Sequence, residues 1–387
     1  MKKALSLLTV SAMAVSMLAG CGSSNTTATT AAPAATEAAA TEAAATEAAA
    51  PAETAAATEA AAAATEAATE AAAEAGSADL ADKKVGVCIY QFSDNFMTLF
   101  RNELQSYLES LGFKAENISI VDGANDQATQ TNQIQNFITS GVDVLIINPV
   151  NSSSAATITD MVTEANIPLV YINREPDAQE EERWATENMN VTYVGCDARQ
   201  SGTMQGEIVL DLENKGDING DGKVSYIMIE GDPENVDAQY RTEFSVKALT
   251  DAGVEVECLD DQVGNWDQAQ AQSLVANSLA QHGKDIEVVF CNNDAMALGA
   301  LQAIEAAGET VGTDVYLLGV DALQEACDNV KSGKQTGTVF NDHISQSHSA
   351  ADAAVKYLTG EGNEHYIGCD YVKVTTANVD DILASLG

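Results

Sequence analysis

Positive charge is scarce in this chain. Eighteen Lys and Arg stand against 58 Asp and Glu in 387 residues, a formal net charge of -40, and a surface of that sign repels phosphate backbones and anionic lipid. Nucleic acid is therefore not expected as a partner. Histidine is scarce too: His282, His343, His348 and His365 are the four, without zinc-ligand spacing. No Gly-x-Ser-x-Gly elbow, Walker loop or Gly-x-Gly-x-x-Gly is present, so the usual carriers of acyl transfer, nucleotide binding and dinucleotide binding are missing. Of the seven cysteines none forms a Cys-x-x-Cys. Cys88, Cys196, Cys258 and Cys291 fall in predicted strands, far apart, and read as small buried hydrophobes rather than disulfides. Beyond the N-terminus no stretch is long and apolar enough to span a bilayer.

The N-terminus itself is informative. Lys2 and Lys3 followed by an apolar run from Ala4 to Leu18 predict a secretory leader over 1–20, too short for a spanning helix. Leu18-Ala19-Gly20-Cys21 resembles the bacterial lipobox, which implies lipidation of Cys21 and a protein held on the outer face of the cell membrane by acyl chains alone. Residues 21–79 are almost wholly Ala, Thr and Glu, with Thr-Glu-Ala-Ala-Ala recurring at 36, 41 and 46. Such a segment cannot build a core, and it has no Lys or Arg to pair with its acids, so a self-repelling tether is expected. It would reach about 40 Å as a coil and about 90 Å if wholly helical.

The folded remainder is longer than one core usually serves. Five short apolar runs in it each stop at Asn or Asp: Val85 to Tyr90 before Asp94, Pro168 to Ile172 before Asn173, Ile286 to Cys291 before Asn293, Val315 to Val320 before Asp321, and Thr338 to Phe340 before Asn341. Helical patterns alternate with the strands, over 95–111, 127–140, 153–165, 198–214, 237–252, 267–282, 294–308, 322–333 and 343–359. The alternation predicts an α/β fold of two lobes, each a parallel sheet flanked by helices, with ligand bound beyond the carboxyl ends of the strands. Asn and Asp at those ends either cap the next helix or line a site for a hydroxyl-rich ligand.

Other candidates surround these. Phe96 and Trp266 are aromatics in polar settings, suited to packing on the C–H face of a pyranose. Asp237 and Arg241 share a helix face at i,i+4, as a salt bridge or as ligand contacts. Paired carboxylates could hydrolyse a glycoside, but here they keep company with amides and an Arg that hold acids ionised, which suits hydrogen bonding better than acid catalysis. Asp217, Asn219 and Asp221, with Gly222, the Lys223 carbonyl and Ser225, fit the first nine positions of a calcium loop; Met228 stands where its twelfth-position Glu belongs.

Taken together, Tyr90…Asp94-Asn95-Phe96-Met97, Asn173-Arg174-Glu175-Pro176, Asp217-x-Asn219-x-Asp221-Gly222, Asp237-x-x-x-Arg241, Trp266-Asp267, Asn292-Asn293-Asp294, Gly319-Val320-Asp321 and Asn341-Asp342 resemble the galactose/glucose-binding proteins. These are type I periplasmic-binding-protein folds that feed ABC transporters. The resemblance implies a non-enzymatic monomer closing on galactose or glucose and delivering it to a permease. It implies a sugar site of Asp94, Phe96, Asn173, Asn235, Asp237, Arg241, Trp266, Asn293, Asp321 and Asn341. It also implies a structural calcium ion completed by Glu287, a first lobe of 83–195 plus 342–372, a second of 196–341 plus 373–387, and three hinge crossings, near 195–197, 341 and 372–375. Two positions depart from the family: Asn235 replaces a sugar-contacting His, and Ser225 replaces a longer amide in the calcium loop.

Overall fold

A computed structural model describes residues 80–386; the expected leader, Cys21 and the tether lie outside the described residues. The strands are Val85–Ile89 (β1), Ile118–Asp122 (β2), Val144–Ile147 (β3), Leu169–Ile172 (β4), Val191–Cys196 (β5), Lys223–Glu230 (β6), Glu255–Val263 (β7), Val288–Cys291 (β8), Tyr316–Leu318 (β9), Thr338–Phe340 (β10), Tyr366–Cys369 (β11) and Val372–Val374 (β12). The α-helices are Asn95–Ser110 (α1), Gln127–Ser140 (α2), Ala155–Glu164 (α3), Ala178–Glu187 (α4), Ala198–Leu210 (α5), Val236–Asp251 (α6), Gln268–His282 (α7), Asp294–Ala307 (α8), Gln324–Lys331 (α9), His343–Thr359 (α10) and Val379–Ser385 (α11). The nine predicted helices are all present. Two more, α4 and α11, were not anticipated.

Two parallel sheets organise these elements, in the strand orders β11-β5-β4-β3-β1-β2 and β7-β6-β8-β9. The inner strands β1, β3, β4, β5 and β8 are buried along their whole length, which is why they read as continuous apolar runs rather than as alternating ones. One face of the first sheet packs on Phe100, Leu104 and Leu108 of α1 and on Ala350, Ala351 and Ala354 of α10. The other packs on Ile134 of α2, Ile158 of α3 and Trp184 of α4. In the second sheet Ile227 and Val289 meet α7 and α8, while Val224 and Phe290 meet α5 and α6. The result is the expected two-lobed α/β fold.

The chain passes three times between these bodies. It leaves the first sheet after β5 for α5, returns after β10 through α10, and leaves again after β11 for β12, which pairs antiparallel with β10. Cys88, Cys196 and Cys291 are buried and, among the described residues, no cysteine is paired. Cys258 corrects the expectation of burial: it is exposed, because β7 is the edge of its sheet and carries its side chains largely in solvent. Among the described residues no helix is long and apolar enough to cross a membrane.

Candidate functional site

Capping and site-lining turn out to be compatible roles for two of the five strand-end residues, Asp94 and Asn293; Asn173, Asp321 and Asn341 line the site without capping a helix. Asp94 caps α1 by accepting from Met97 N at 2.7 Å, and its other oxygen accepts from the Tyr90 hydroxyl at 2.6 Å. Asn293 caps α8 by accepting from Met296 N at 3.0 Å. Asn173, directly after β4, has a left-handed φ of 62° and its Oδ1 accepts from Asn148 Nδ2. Asp321 follows β9 with φ 116°, and its Oδ1 accepts from Asn341 Nδ2 at 3.2 Å.

Asp237 and Arg241 are delivered by helix α6, which two glycines of α5 let approach closely. A Cβ on Gly202 would lie 2.9 Å from the Arg241 carbonyl oxygen, and one on Gly206 2.5 Å from that of Ser245. The Arg241 guanidinium is buried; Nη1 donates to Asn292 O at 2.8 Å and Nη2 to the Tyr371 hydroxyl at 3.1 Å, while Asp237 stands 4.0 Å away. Asn235 caps the same helix, accepting from Asp237 N. Trp266 takes a left-handed φ of 64° and its ring lies against Gly231, where a Cβ would come within 2.1 Å. Only glycine fits beneath that ring.

All ten sequence-predicted site residues line one cavity, together with Tyr90, Met97 and Arg174. About 330 Å³ of space not filled by protein atoms lies in it, a figure that counts its open mouth. Tyr90, Met97 and Arg174 are the lining residues that sequence reasoning missed, and Arg174 is the charged one among them. It is buried, stacks 3.7 Å over the Tyr90 ring, and donates to Val150 O and to Asp232 Oδ2. Its position directly after Asn173 at a strand end was the available signal.

The cavity's polar groups are incompletely answered. Asp237 Oδ1, Arg241 Nε, Arg174 Nη2 and Trp266 Nε1 are buried with no hydrogen-bond partner among the described residues. Unpaired buried donors and acceptors each cost about 1–3 kcal/mol. One acceptor and three donors left over in one cavity match a ligand bearing several hydroxyls, each able to donate and accept. Burial pushes the Asp237 carboxyl up to about 6, against the opposing pull of Arg241 and Arg174. Burial also raises Asp321 well above the usual carboxylate range and Glu175, the residue after Arg174, to about 8.

A family model for the periplasmic binding protein domain matches residues 85–362. The chain belongs to the periplasmic binding protein family. It is 32% identical over 322 residues to the D-galactose/methyl-galactoside binding periplasmic protein of Haemophilus influenzae, covering 80% of this chain and 94% of that one. It is 34% identical over 299 residues to a putative rhizopine-binding protein of Rhizobium meliloti, covering 76% and 91%. Among solved structures, an ABC transporter solute binding protein from Bacillus halodurans with bound myo-inositol superposes with a TM-score of 0.70 at 30% identity, over 80% of this chain and 99% of that one. Like these relatives, this periplasmic binding protein is a solute-binding protein rather than an enzyme.

The loop read as a calcium site lies apart from the cavity, before β6. Buried Glu287 closes it: Oε1 accepts from Ile218 N and Asn219 N, and Oε2 from Ser225 N, at 2.7–2.9 Å. Asp217 accepts from Gly220 N and Gly222 N, Asn219 from Asp221 N, and Asp221 from Lys223 N. Among the described residues no group of three or more His, Cys, Asp or Glu side chains is drawn together to hold a metal ion. The side-chain oxygens of the loop and of Glu287 accept from backbone N–H groups within the loop.

The raised Asp237 carboxyl gives a pH signature in the free protein. Its folded pKa of about 6 lies above the unfolded value of 3.8, so its favourable contribution is fully present below about pH 4 and is lost as pH rises through 6. Relative to Asp237→Asn, wild type should therefore lose about 3 kcal/mol of stability between pH 4 and pH 7.5. Denaturant midpoints of both proteins across that range check this; a gap that stays constant with pH contradicts it.

Proposed function

We propose that this periplasmic binding protein captures one monosaccharide, galactose or glucose foremost, between its lobes and delivers it to an ABC transporter permease. The observation that supports the reading is the set of four unpartnered buried atoms, on Asp237, Arg241, Arg174 and Trp266, gathered with Phe96 and the strand-end acids and amides in one cavity. Sugar hydroxyls would answer the atoms on Asp237, Arg241 and Arg174, and the flat faces of Trp266 and Phe96 suit a ring's C–H surface. Ligand touching both lobes favours their closed arrangement, which a permease can read. Cys21, lipidated, would hold the protein at the outer face of the cell membrane. A sensing role without transport would use the same cavity.

A cyclitol is the second reading. Arg174 adds another guanidinium to the cavity, Asn235 takes the place of the family His, and the solved relative from Bacillus halodurans carries myo-inositol. Calorimetric titration with D-galactose, D-glucose, D-ribose and myo-inositol separates the readings. The expected result is one galactose or glucose per chain. Asp237→Ala should weaken that binding by about 2–4 kcal/mol, since it strands both the sugar hydroxyls and Arg241. Preferential binding of myo-inositol would favour the cyclitol, and undiminished binding by Asp237→Ala would remove that residue from the site.

We also propose a structural calcium ion at the loop 217–225. What supports it is donor chemistry. On releasing the loop N–H groups they now accept from, Asp217, Asp221 and Glu287 would bring three carboxylates, Asn219 an amide oxygen, Lys223 a carbonyl and Ser225 a hydroxyl, all hard oxygen ligands. Among the described residues no Lys or Arg pairs with Glu287 or Asp217, and Lys223 is engaged with Glu257. Calcium should raise the melting temperature with its occupancy, and chelation should lower it without changing the sugar stoichiometry. Glu287→Gln should shrink that difference. Coincident melting curves with excess calcium and with excess chelator, after verified metal removal, would exclude the ion.

A further inference from the structure

Three of the cavity's residues, Asn293, Asp321 and Asn341, sit on separate segments that meet at one buried carboxylate outside the cavity. Asp294 is fully buried, the first residue of α8 and the neighbour of Asn293. Its Oδ1 accepts from Gln335 Nε2 at 3.1 Å and from Thr338 Oγ1 at 2.8 Å; its Oδ2 accepts from Thr338 Oγ1 at 2.9 Å and from Leu323 N at 3.0 Å. Its own N–H donates to Val320 O at 2.7 Å. One side chain therefore touches the turn that carries Asp321, the strand that leads to Asn341, and the helix start that follows Asn293.

The turn needs such a tie. Asp321 and Ala322 have φ of 116° and 54°, left-handed conformations that cost non-glycine residues on the order of 1–3 kcal/mol unless their surroundings hold them. The bond to Leu323 N fastens the turn just beyond them, and Thr338 Oγ1 in turn accepts from Ala322 N at 3.4 Å. Space has been left for the carboxylate: a Cβ on Gly319 would lie 2.0 Å from Asp294 Oδ1, so the strand entering the turn carries no side chain there. None of these contacts faces the cavity, whose lining does not include Asp294.

We propose that Asp294 is a positioning residue for ligand binding: its buried carboxylate fixes the mutual placement of Asn293, Asp321 and Asn341. The inference rests on the sugar-binding reading for its consequence, though the placement itself exists in the free protein. Burial raises the Asp294 carboxyl to about 7 against the opposing pull of Thr338, Gln335 and the Leu323 N–H, and above that pH the bonds to its ionised form are shorter and stronger than those to a neutral amide. Asp294→Asn keeps the shape but turns an amide NH2 toward donors. The turn 319–323 and the segment 338–342 then lose their common anchor while the sheet cores are untouched.

The test is hydrogen exchange on the ligand-free, full-length protein, paired with titration by the best-binding member of the galactose, glucose and myo-inositol set. In Asp294→Asn, peptides covering 319–323 and 338–342 should exchange at least tenfold faster, while peptides covering β6 and β8 keep wild-type rates. Affinity should fall tenfold or more. Thr338→Val, which removes a single donor and keeps volume, should give the same pattern with smaller amplitude, and serves if Asp294→Asn does not fold. Unchanged exchange in both segments, or exchange raised uniformly through β6 and β8, would overturn the inference, the second outcome marking a general structural role. Should wild type bind none of the three probes, the sugar reading fails, and the exchange pattern still decides the placement claim.

Discussion

The closeness of Asp237 to Arg241 in a space removed from water is the constraint on which the other features depend. A carboxylate and a guanidinium 4.0 Å apart attract, but each keeps an atom without a partner, and burial has driven the acid's pKa upward in spite of two nearby arginines. Such a pair is costly to assemble for stability alone. It becomes reasonable in a protein whose ligand supplies the missing bonds. The glycines at 202 and 206, which bring α6 against α5, and the glycine at 231 beneath the Trp266 ring are the backbone concessions that make the arrangement possible.

Much of this was legible in the sequence because parallel sheets leave a plain signature. Apolar runs buried on both faces cannot alternate, so β1, β4, β8 and β10 stood out, and their carboxyl ends pointed to Asp94, Asn173, Asn293 and Asn341. The choice between cap and ligand could not be made from residues alone, and in the fold it disappears for Asp94 and Asn293, while Asn173, Asp321 and Asn341 cap no helix. Asp94 uses one oxygen on Met97 N and keeps the other on the Tyr90 hydroxyl beside the cavity.

What was not legible depended on partners distant in sequence. Arg174 becomes part of the cavity through Val150, Asp232 and the ring of Tyr90, none of which its own neighbourhood reveals. Helix α4 reads as acidic and polar, yet it buries Trp184 flat on Tyr171, with ring centroids 5.4 Å apart and the indole N–H on Glu180. A single aromatic anchors a helix that periodicity does not reveal. Cys258 was misread because an edge strand and an inner strand look alike over a few residues, and only the sheet order distinguishes them.

The account stands on the claim that the unpartnered atoms are completed by a sugar. Determining the crystal structure of the protein with its best-binding monosaccharide tests this most directly. The account predicts one sugar ring in the cavity, its oxygens within hydrogen-bonding distance of Asp237 Oδ1, Arg241 Nε and Arg174 Nη2. A sugar bound elsewhere, or one seated in the cavity while those three atoms remain without a partner, would contradict it.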